Sequence, residues 1–346
     1  MREYNDEQSQ HEGPHFGLIL ALMTEGLAIG EYPEMVRVAH IAESYGFASA
    51  WLCDHFLTLS PDDYVKHAGI SGGDQHREKT RPATMPLLEA WTALSALARD
   101  TTNIRLGTSV LCNSYRHPSV LAKMAATLDV ISDGRLDLGL GAGWFQREAD
   151  AYGIPFLPVG ERVAAFGEAL ELIKEIWTQP NPVYSGRFYT LDGAVCDPPP
   201  FQKPHPPLWV GGEGDRVHRI AARSAQGINV RWWSPEKVRQ RQDFLAQACA
   251  AVERDPSTLR FSLTALLAPT HSDGQEAQIR AEFSAIPDSG LIVGPVDKCI
   301  EQINEYYESG VDTFLFTIPN VAQSELIHTV GQEVLTAFRG VATRSN

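Results

Sequence analysis

Short apolar segments alternating with stretches of helical spacing limit this fold more than anything else in its 346 residues. The apolar segments are 16–22, 47–53, 104–110, 135–140, 207–210, 227–230, 261–268 and 313–318. Continuous apolarity over so few residues suits strands covered on both faces, as in a parallel sheet. Helix signals lie between them: Pro33 opens a pattern that stops at Gly46, and His117-Pro118 opens one that stops at Ser132-Asp133-Gly134. Further helices are expected over 87–99, from about 148 to 177, up to 225, and over 235–252, 295–307 and 324–338. A repeated strand–helix unit of this kind predicts a (β/α)8 TIM barrel with loop insertions at the C-terminal strand ends, as a single domain over 15–340. A doubly wound sheet is the other arrangement the pattern allows. Residues 1–14 are polar and charged where a signal peptide would be apolar, and are expected to form a disordered leader.

Two stretches interrupt the alternation. Leu57 to Pro86 is rich in glycine, proline and polar residues and has no period, which predicts a mobile lid. Tyr184 to Pro200 reads as a hairpin or extended insertion.

The balance of 29 Lys and Arg against 43 Asp and Glu gives a net charge of -14, which repels phosphate backbones and anionic lipid. Nucleic-acid and membrane partners are therefore not expected, and an anionic ligand would need a local cluster of cations or N–H groups. The 5 cysteines lack CxxC spacing and are odd in number, which fits reduced thiols and a cytoplasmic protein.

In a barrel the working face lies at the C-terminal strand ends. Asp54-His55 falls there after strand two, Ser109-Val110 closes strand three, Gly141 to Arg147 follows strand four, whose end reads Gly139-Leu140-Gly141-Ala142-Gly143-Trp144, and Gly211-Gly212-Glu213-Gly214 follows strand five. The alternate glycines of strand four suggest a backbone that passes close to something flat. Neighbouring strand residues point to opposite faces, so Asp54 and His55 should not form a dyad with each other. His55 could donate a proton, stack near a cofactor or cap a helix. The GGxG turn before a helix is a place where N–H groups hold phosphate, with Arg147, Arg216 and Arg219 as possible cations. Trp144, Trp232 and Trp233 suggest a flat apolar pocket for a ring system. Asp129, Asp133 and Asp137 read as surface or capping groups, and no histidine pair has zinc-site spacing, so no metal is expected. Ser109 lacks the G-x-S-x-G frame of a hydrolase nucleophile.

Taken together these residues resemble the bacterial-luciferase-like superfamily of flavin- and deazaflavin-dependent oxidoreductases, from Phe16 to Phe338. The most specific pieces are Tyr115-Arg116-His117-Pro118, the run from Ala122 to Arg135, Gly141-Ala142-Gly143-Trp144-Phe145, Ala151-Tyr152-Gly153-Ile154-Pro155-Phe156, and Lys203-Pro204-His205-Pro206-Pro207-Leu208-Trp209-Val210-Gly211-Gly212. Within the superfamily the spelling is most similar to the branch that uses coenzyme F420.

The resemblance implies a barrel that holds an isoalloxazine-type ring over the strand ends, with a non-prolyl cis peptide at Ser109-Val110 against it. It implies cofactor binding by Asp54, His55, Ser109, Val110, Arg147 and the loop Gly211, Gly212, Glu213 and Gly214, with His55 as the catalytic proton donor. It also implies a homodimer paired through helices on one side. One departure is informative: F420-dependent sugar-phosphate dehydrogenases carry an acid where this chain has Trp144, and a Trp soon after the histidine where it has Phe56-Leu57-Thr58-Leu59. Sugar-phosphate oxidation is therefore not expected, and a bulkier, less charged small molecule is. With F420 the implied reaction is hydride transfer to an activated C=C or C=N bond. With FMN it is a monooxygenase fed by a separate flavin reductase, and a third reading is a non-catalytic flavin-binding barrel.

Overall fold

The computed structural model describes residues 13–24, 26–59, 85–323 and 325–339. Eight parallel strands close on themselves: β1 (His15–Ala21), β2 (Ser49–Leu52), β3 (Arg105–Thr108), β4 (Leu136–Gly141), β5 (Leu208–Gly211), β6 (Gly227–Arg231), β7 (Arg260–Pro269) and β8 (Thr313–Thr317). They pair in chain order, and β8 returns to β1 through His15 opposite Thr313, so the barrel has no open edge. The helices are α1 (Tyr32–Ser44), α2 (Ala90–Asp100), α3 (Pro118–Ile131), α4 (Gln146–Ala151), α5 (Val159–Thr178), α6 (Asp215–Ser224), α7 (Pro235–Ala250), α8 (Asp273–Glu282), α9 (Val296–Glu308) and α10 (Leu326–Thr329). The expected barrel is thus the fold found, and the doubly wound sheet is not. Among the described residues no helix is long and apolar enough to cross a membrane.

Strand alternation divides the apolar residues into two layers. Ala50, Leu52, Leu208, Val210, Phe314 and Phe316 pack outward against helix residues such as Met35, Leu94, Leu121, Phe166 and Ile303. Trp51, Cys53, Trp209 and Leu315 point inward and fill the barrel with Ile19, Leu266 and Ala268. Two indoles dominate that interior, Trp51 and Trp209, edge to face at 5.8 Å between centroids. Both need bare neighbours: a Cβ on Gly107 would lie 2.2 Å from Trp51, and one on Gly227 2.3 Å from Trp209. The strands read as continuously apolar because both of their faces are covered.

Several sequence expectations change. The polar interval after strand seven contains α8 and a further strand, Leu291–Gly294, which pairs with the second half of β7. The expected closing helix is broken into α10, a π turn at Val330–Val334 and a 3-10 turn at Leu335–Phe338. Asp129 and Asp137 are buried, not surface groups. Asp129 Oδ1 and Oδ2 accept from the Gln202 side chain and backbone N–H, and Asp137 pairs with Arg105 at 2.7 Å. The insertion after α5 is a hairpin of Val183–Ser185 with Thr190–Asp192. The expected lid and leader fall largely outside the described residues. The roots of the 57–86 stretch are tied by a hydrogen bond from Thr58 Oγ1 to the Met85 carbonyl at 3.2 Å.

Candidate active site

Asp54 and His55 leave the end of β2 and take separate partners, as alternation requires. Asp54 is 1% exposed. Arg116, on the turn that leads into α3, grips it with both terminal nitrogens, at 2.7 and 3.0 Å, and the Cys112 N–H donates to Oδ2 at 3.0 Å. Arg116 also meets Glu89, whose carboxylate caps α2 through the N–H groups of Trp91 and Thr92. Burial disfavours the Arg116 charge, but the hydrogen bonds and charges of Asp54 and Glu89 outweigh it and hold its pKa above the usual guanidinium value. The pair therefore welds the ends of β2 and β3 to the start of α2.

His55 turns to Glu148 on α4, with 2.8 Å between Nδ1 and Oε2. Glu148 is fully buried, and it also receives the N–H groups of Phe56 and Leu57 and the Tyr115 hydroxyl. Burial by itself would raise its pKa. The charge and hydrogen bond of His55, with the other donors, reverse this and hold the carboxyl below the usual range. Burial next to the same carboxylate pushes the Tyr115 hydroxyl well above the usual phenol range. The His55 ring lies edge-on to Trp144, 5.5 Å between centroids, and its side chain keeps 14% exposure.

The Ser109-Val110 peptide is cis, as the resemblance implied. Val110 lies over two of the suspected glycines: a Cβ on Gly141 or Gly211 would come within 2.9 or 2.6 Å of its Cγ2. Gly139 faces the Thr108 carbonyl, which a Cβ would approach to 1.8 Å. These glycines are thus bare on account of contacts within the chain, which supplies the close approach that the spacing in strand four predicted. Ser109 Oγ faces Asn229 Oδ1 at 3.5 Å, and Asn229 in turn donates to Ser262 at 2.9 Å.

Gly211, Gly212, Glu213 and Gly214 form the turn into α6, with Gly214 as the helix cap. No side chain caps the first turn of α6, and a Cβ on Gly214 would meet nothing within 4 Å. The Glu213 side chain is exposed and pairs with Lys237 at 3.1 Å. The turn is held from below by His218, which is buried and donates Nε2–H to the Gly212 carbonyl at 2.9 Å. Burial depresses the His218 pKa to about 4, so the ring is neutral and its Nδ1 has no partner.

The three tryptophans separate. Trp144 and Trp232 belong to the interior cluster, and the Arg231 guanidinium lies 5.6 Å from each of their ring centres. Trp233 does not join them: it packs in the outer layer beside Phe261, His218 and Lys237, a correction to its expected place in the pocket. Backbone geometry divides the two neighbours, since Trp232 adopts a left-handed φ of 58° that reverses the chain at the strand end. Arg147 is half-buried on α4, beside Glu148.

A family model described as luciferase-like monooxygenase matches residues 16–286. The chain belongs to this luciferase-like family. An uncharacterized protein of Mycobacterium tuberculosis is 34% identical over 216 residues, which is 62% of this chain and 71% of that one. An F420-dependent glucose-6-phosphate dehydrogenase of Amycolatopsis mediterranei is 25% identical over 340 residues, 89% and 95% of the two chains. Among solved structures, an F420-dependent secondary alcohol dehydrogenase bound to an F420-acetone adduct superposes with a TM-score of 0.74 at 18% identity, covering 96% of this chain and 100% of the other. That last likeness shows the fold alone. Membership makes this luciferase-like chain an oxidoreductase, and its relatives include F420-dependent enzymes and an FMNH(2)-dependent dimethylsulfone monooxygenase of Pseudomonas putida.

Two residues of this luciferase-like site escaped the reading of candidates one by one. Glu148 sits in a glycine-rich run that drew attention to its glycines and Trp144, and Arg116 in a motif quoted only for resemblance. A usable signal existed for Glu148: it lies next to Ala149 on a short helix that must turn one face to the barrel, and a carboxylate on that face needs donors.

Proposed function

We propose that this chain is a coenzyme F420-dependent oxidoreductase that passes hydride from the reduced deazaflavin to an activated C=C or C=N bond of a small organic metabolite. The observation that carries the reading is His55, held on a buried carboxylate at the barrel mouth with its ring against Trp144. The fit to the cofactor is supported by the Val110 side chain over Gly141 and Gly211 as an apolar floor, and by the open helix start at Gly214 for a phosphate. Asp54, Ser109 and Arg147 complete the proposed cofactor contacts. When bound, F420 supplies a two-electron hydride, its ring having carbon in place of the nitrogen that gives flavins their oxygen chemistry. His55 gives a proton to the anion that develops on the substrate. Trp144 and Trp232 wall the pocket with apolar surface, which keeps water from that proton. The relationship to an F420-dependent enzyme over most of both chains favours F420, while the acid-to-Trp144 departure argues against a sugar phosphate as substrate.

The protein is proposed to work in the cytoplasm, in keeping with its five unpaired thiols, and as a homodimer. The dimer would form on the shallow apolar groove of α2 and α3 lined by Trp91, Val120, Met124 and Ile131.

Fluorescence titration of the purified protein with F420 and, separately, with FMN tests the proposal. Tight F420 binding with weak FMN binding is expected. The reverse order would transfer the reading to a reductase-fed monooxygenase, and F420 binding without turnover on a panel of enones and imines would reduce it to a carrier.

A further inference from the structure

Glu148 meets four hydrogen-bonding groups with two oxygens. Oε1 accepts from the N–H groups of Phe56 at 2.7 Å and Leu57 at 2.9 Å, and Oε2 meets the Tyr115 hydroxyl at 2.6 Å and His55 Nδ1 at 2.8 Å. An ionised carboxylate has about four acceptor sites and no donor. Two backbone N–H groups and a phenol satisfy three of these sites, and each bond favours the anion over the acid. The one hydrogen shared between Oε2 and Nδ1 therefore rests on nitrogen.

We propose that Glu148 is a positioning residue that fixes the His55 tautomer: it keeps hydrogen on Nδ1 and so makes Nε2 the nitrogen that exchanges protons at the barrel mouth. The role of Nε2 in catalysis rests on the function proposed above, whereas the tautomer is a property of the chain alone. The same carboxylate holds Phe56 and Leu57, so the ring and the root of the segment after β2 are set by one group. A second consequence concerns Tyr115, whose ring stacks on Phe56 at 4.9 Å between centroids. Because its hydroxyl donates to Oε2, it supports the anion without competing for the Nδ1 hydrogen.

The test is nitrogen-15 NMR of the histidine rings in the purified full-length protein without added cofactor, at alkaline pH where imidazoles are neutral. The His55 signals are assigned by their loss in His55→Asn. Nδ1 is expected at a protonated, pyrrole-like shift and Nε2 at a bare, pyridine-like shift. In Glu148→Gln the amide oxygen can still accept from Phe56 and Leu57, while its NH2 group faces the ring and makes Nδ1 an acceptor. The two assignments then exchange. A wild-type ring protonated on Nε2, or a Glu148→Gln ring that keeps the wild-type pattern, overturns the proposal. The wild-type spectrum decides the tautomer even where the variant fails to fold. Since no cofactor is present, failure of the F420 reading leaves this result intact, and the converse also holds.

Discussion

Arg116 holds Asp54 through two parallel hydrogen bonds of 2.7 and 3.0 Å, although 62 residues separate them in the chain. Asp54 is shielded from water and Arg116 nearly so, with side-chain exposures of 0% and 15%. Without Asp54 the guanidinium would still face the Glu89 carboxylate, but without Arg116 the buried Asp54 keeps only the Cys112 N–H. Arg116→Ala is expected to cost roughly 3–5 kcal/mol. Urea unfolding of the variant measures this, and a loss within experimental error of zero would mean that water reaches Asp54 freely.

His55 supplies the functional counterpart. His55→Asn is expected to weaken F420 binding only modestly while turnover falls roughly 10²–10⁴-fold, the usual range for loss of a general acid. Parallel fluorescence titration and steady-state kinetics separate the two effects. A variant that loses cofactor binding to the same degree as turnover would make His55 a cofactor contact alone.

His218 makes stability depend on pH. Its folded pKa, about 4, lies below the ordinary value of 6.5, so the unfolded chain binds the extra proton between those values. The contribution is fully present above pH 6.5 and is lost as pH falls toward 4. Its size is on the order of 3 kcal/mol. His218→Gln removes the titrating ring, and unfolding curves from pH 7 downward are expected to show wild type losing stability faster than the variant over that window. Parallel pH dependence would place a water or ion beside His218.

Glu148 shifts in the same sense by a different cause, because donors outweigh its burial. Its folded pKa lies below its ordinary 4.5, so its contribution is present above that value and fades as pH drops through the folded pKa. The stability difference between wild type and Glu148→Gln is accordingly expected to be largest near neutrality and to shrink in acid. A difference constant down to acid unfolding would show that folding leaves the carboxyl unshifted, and one that moves in favour of wild type in acid would show it to be protonated in the native protein.

Gly107 tests the interior. A methyl there would fall 2.2 Å from the Trp51 indole, which is walled in by Trp209, so the ring has no place to move. Gly107→Ala is expected to destabilise by about 1–3 kcal/mol, and Gly107→Ala with Trp51→Phe to recover part of the loss. Thermal unfolding of the two variants gives the comparison.

Val120 is 55% exposed and Ile131 38%, on the groove proposed for dimerisation. Val120→Lys combined with Ile131→Glu is expected to convert the dimer to monomer in analytical ultracentrifugation, with the fold unchanged by circular dichroism. A wild-type chain that sediments as a monomer would refute the proposed pairing.

The barrel is legible in the amino-acid pattern alone. Eight apolar runs, each with a helix after it, leave parallel strands covered on both faces as their economical solution, and strand ends then place Asp54, His55, Ser109, Val110 and Gly211 on one rim. Local backbone logic also settled that Asp54 and His55 would part company, since neighbours on a strand face opposite ways. Tertiary structure decided which groups they meet. Arg116 and Glu148 arrive from 62 and 93 residues away, and no periodicity encodes which carboxylate or guanidinium a closed barrel brings to a given strand end. It also separated Trp232 from Trp233: spacing makes them equals, but a left-handed turn at Trp232 sends one indole into the barrel and the other into the helical layer. The glycines of β4 carry the same lesson. Their spacing announces a close approach, and only the folded chain shows that what approaches is its own Val110 and Thr108. Pattern fixes the class of contact because each period follows from one backbone geometry, while the partner depends on distant segments whose meeting is decided by packing of the whole.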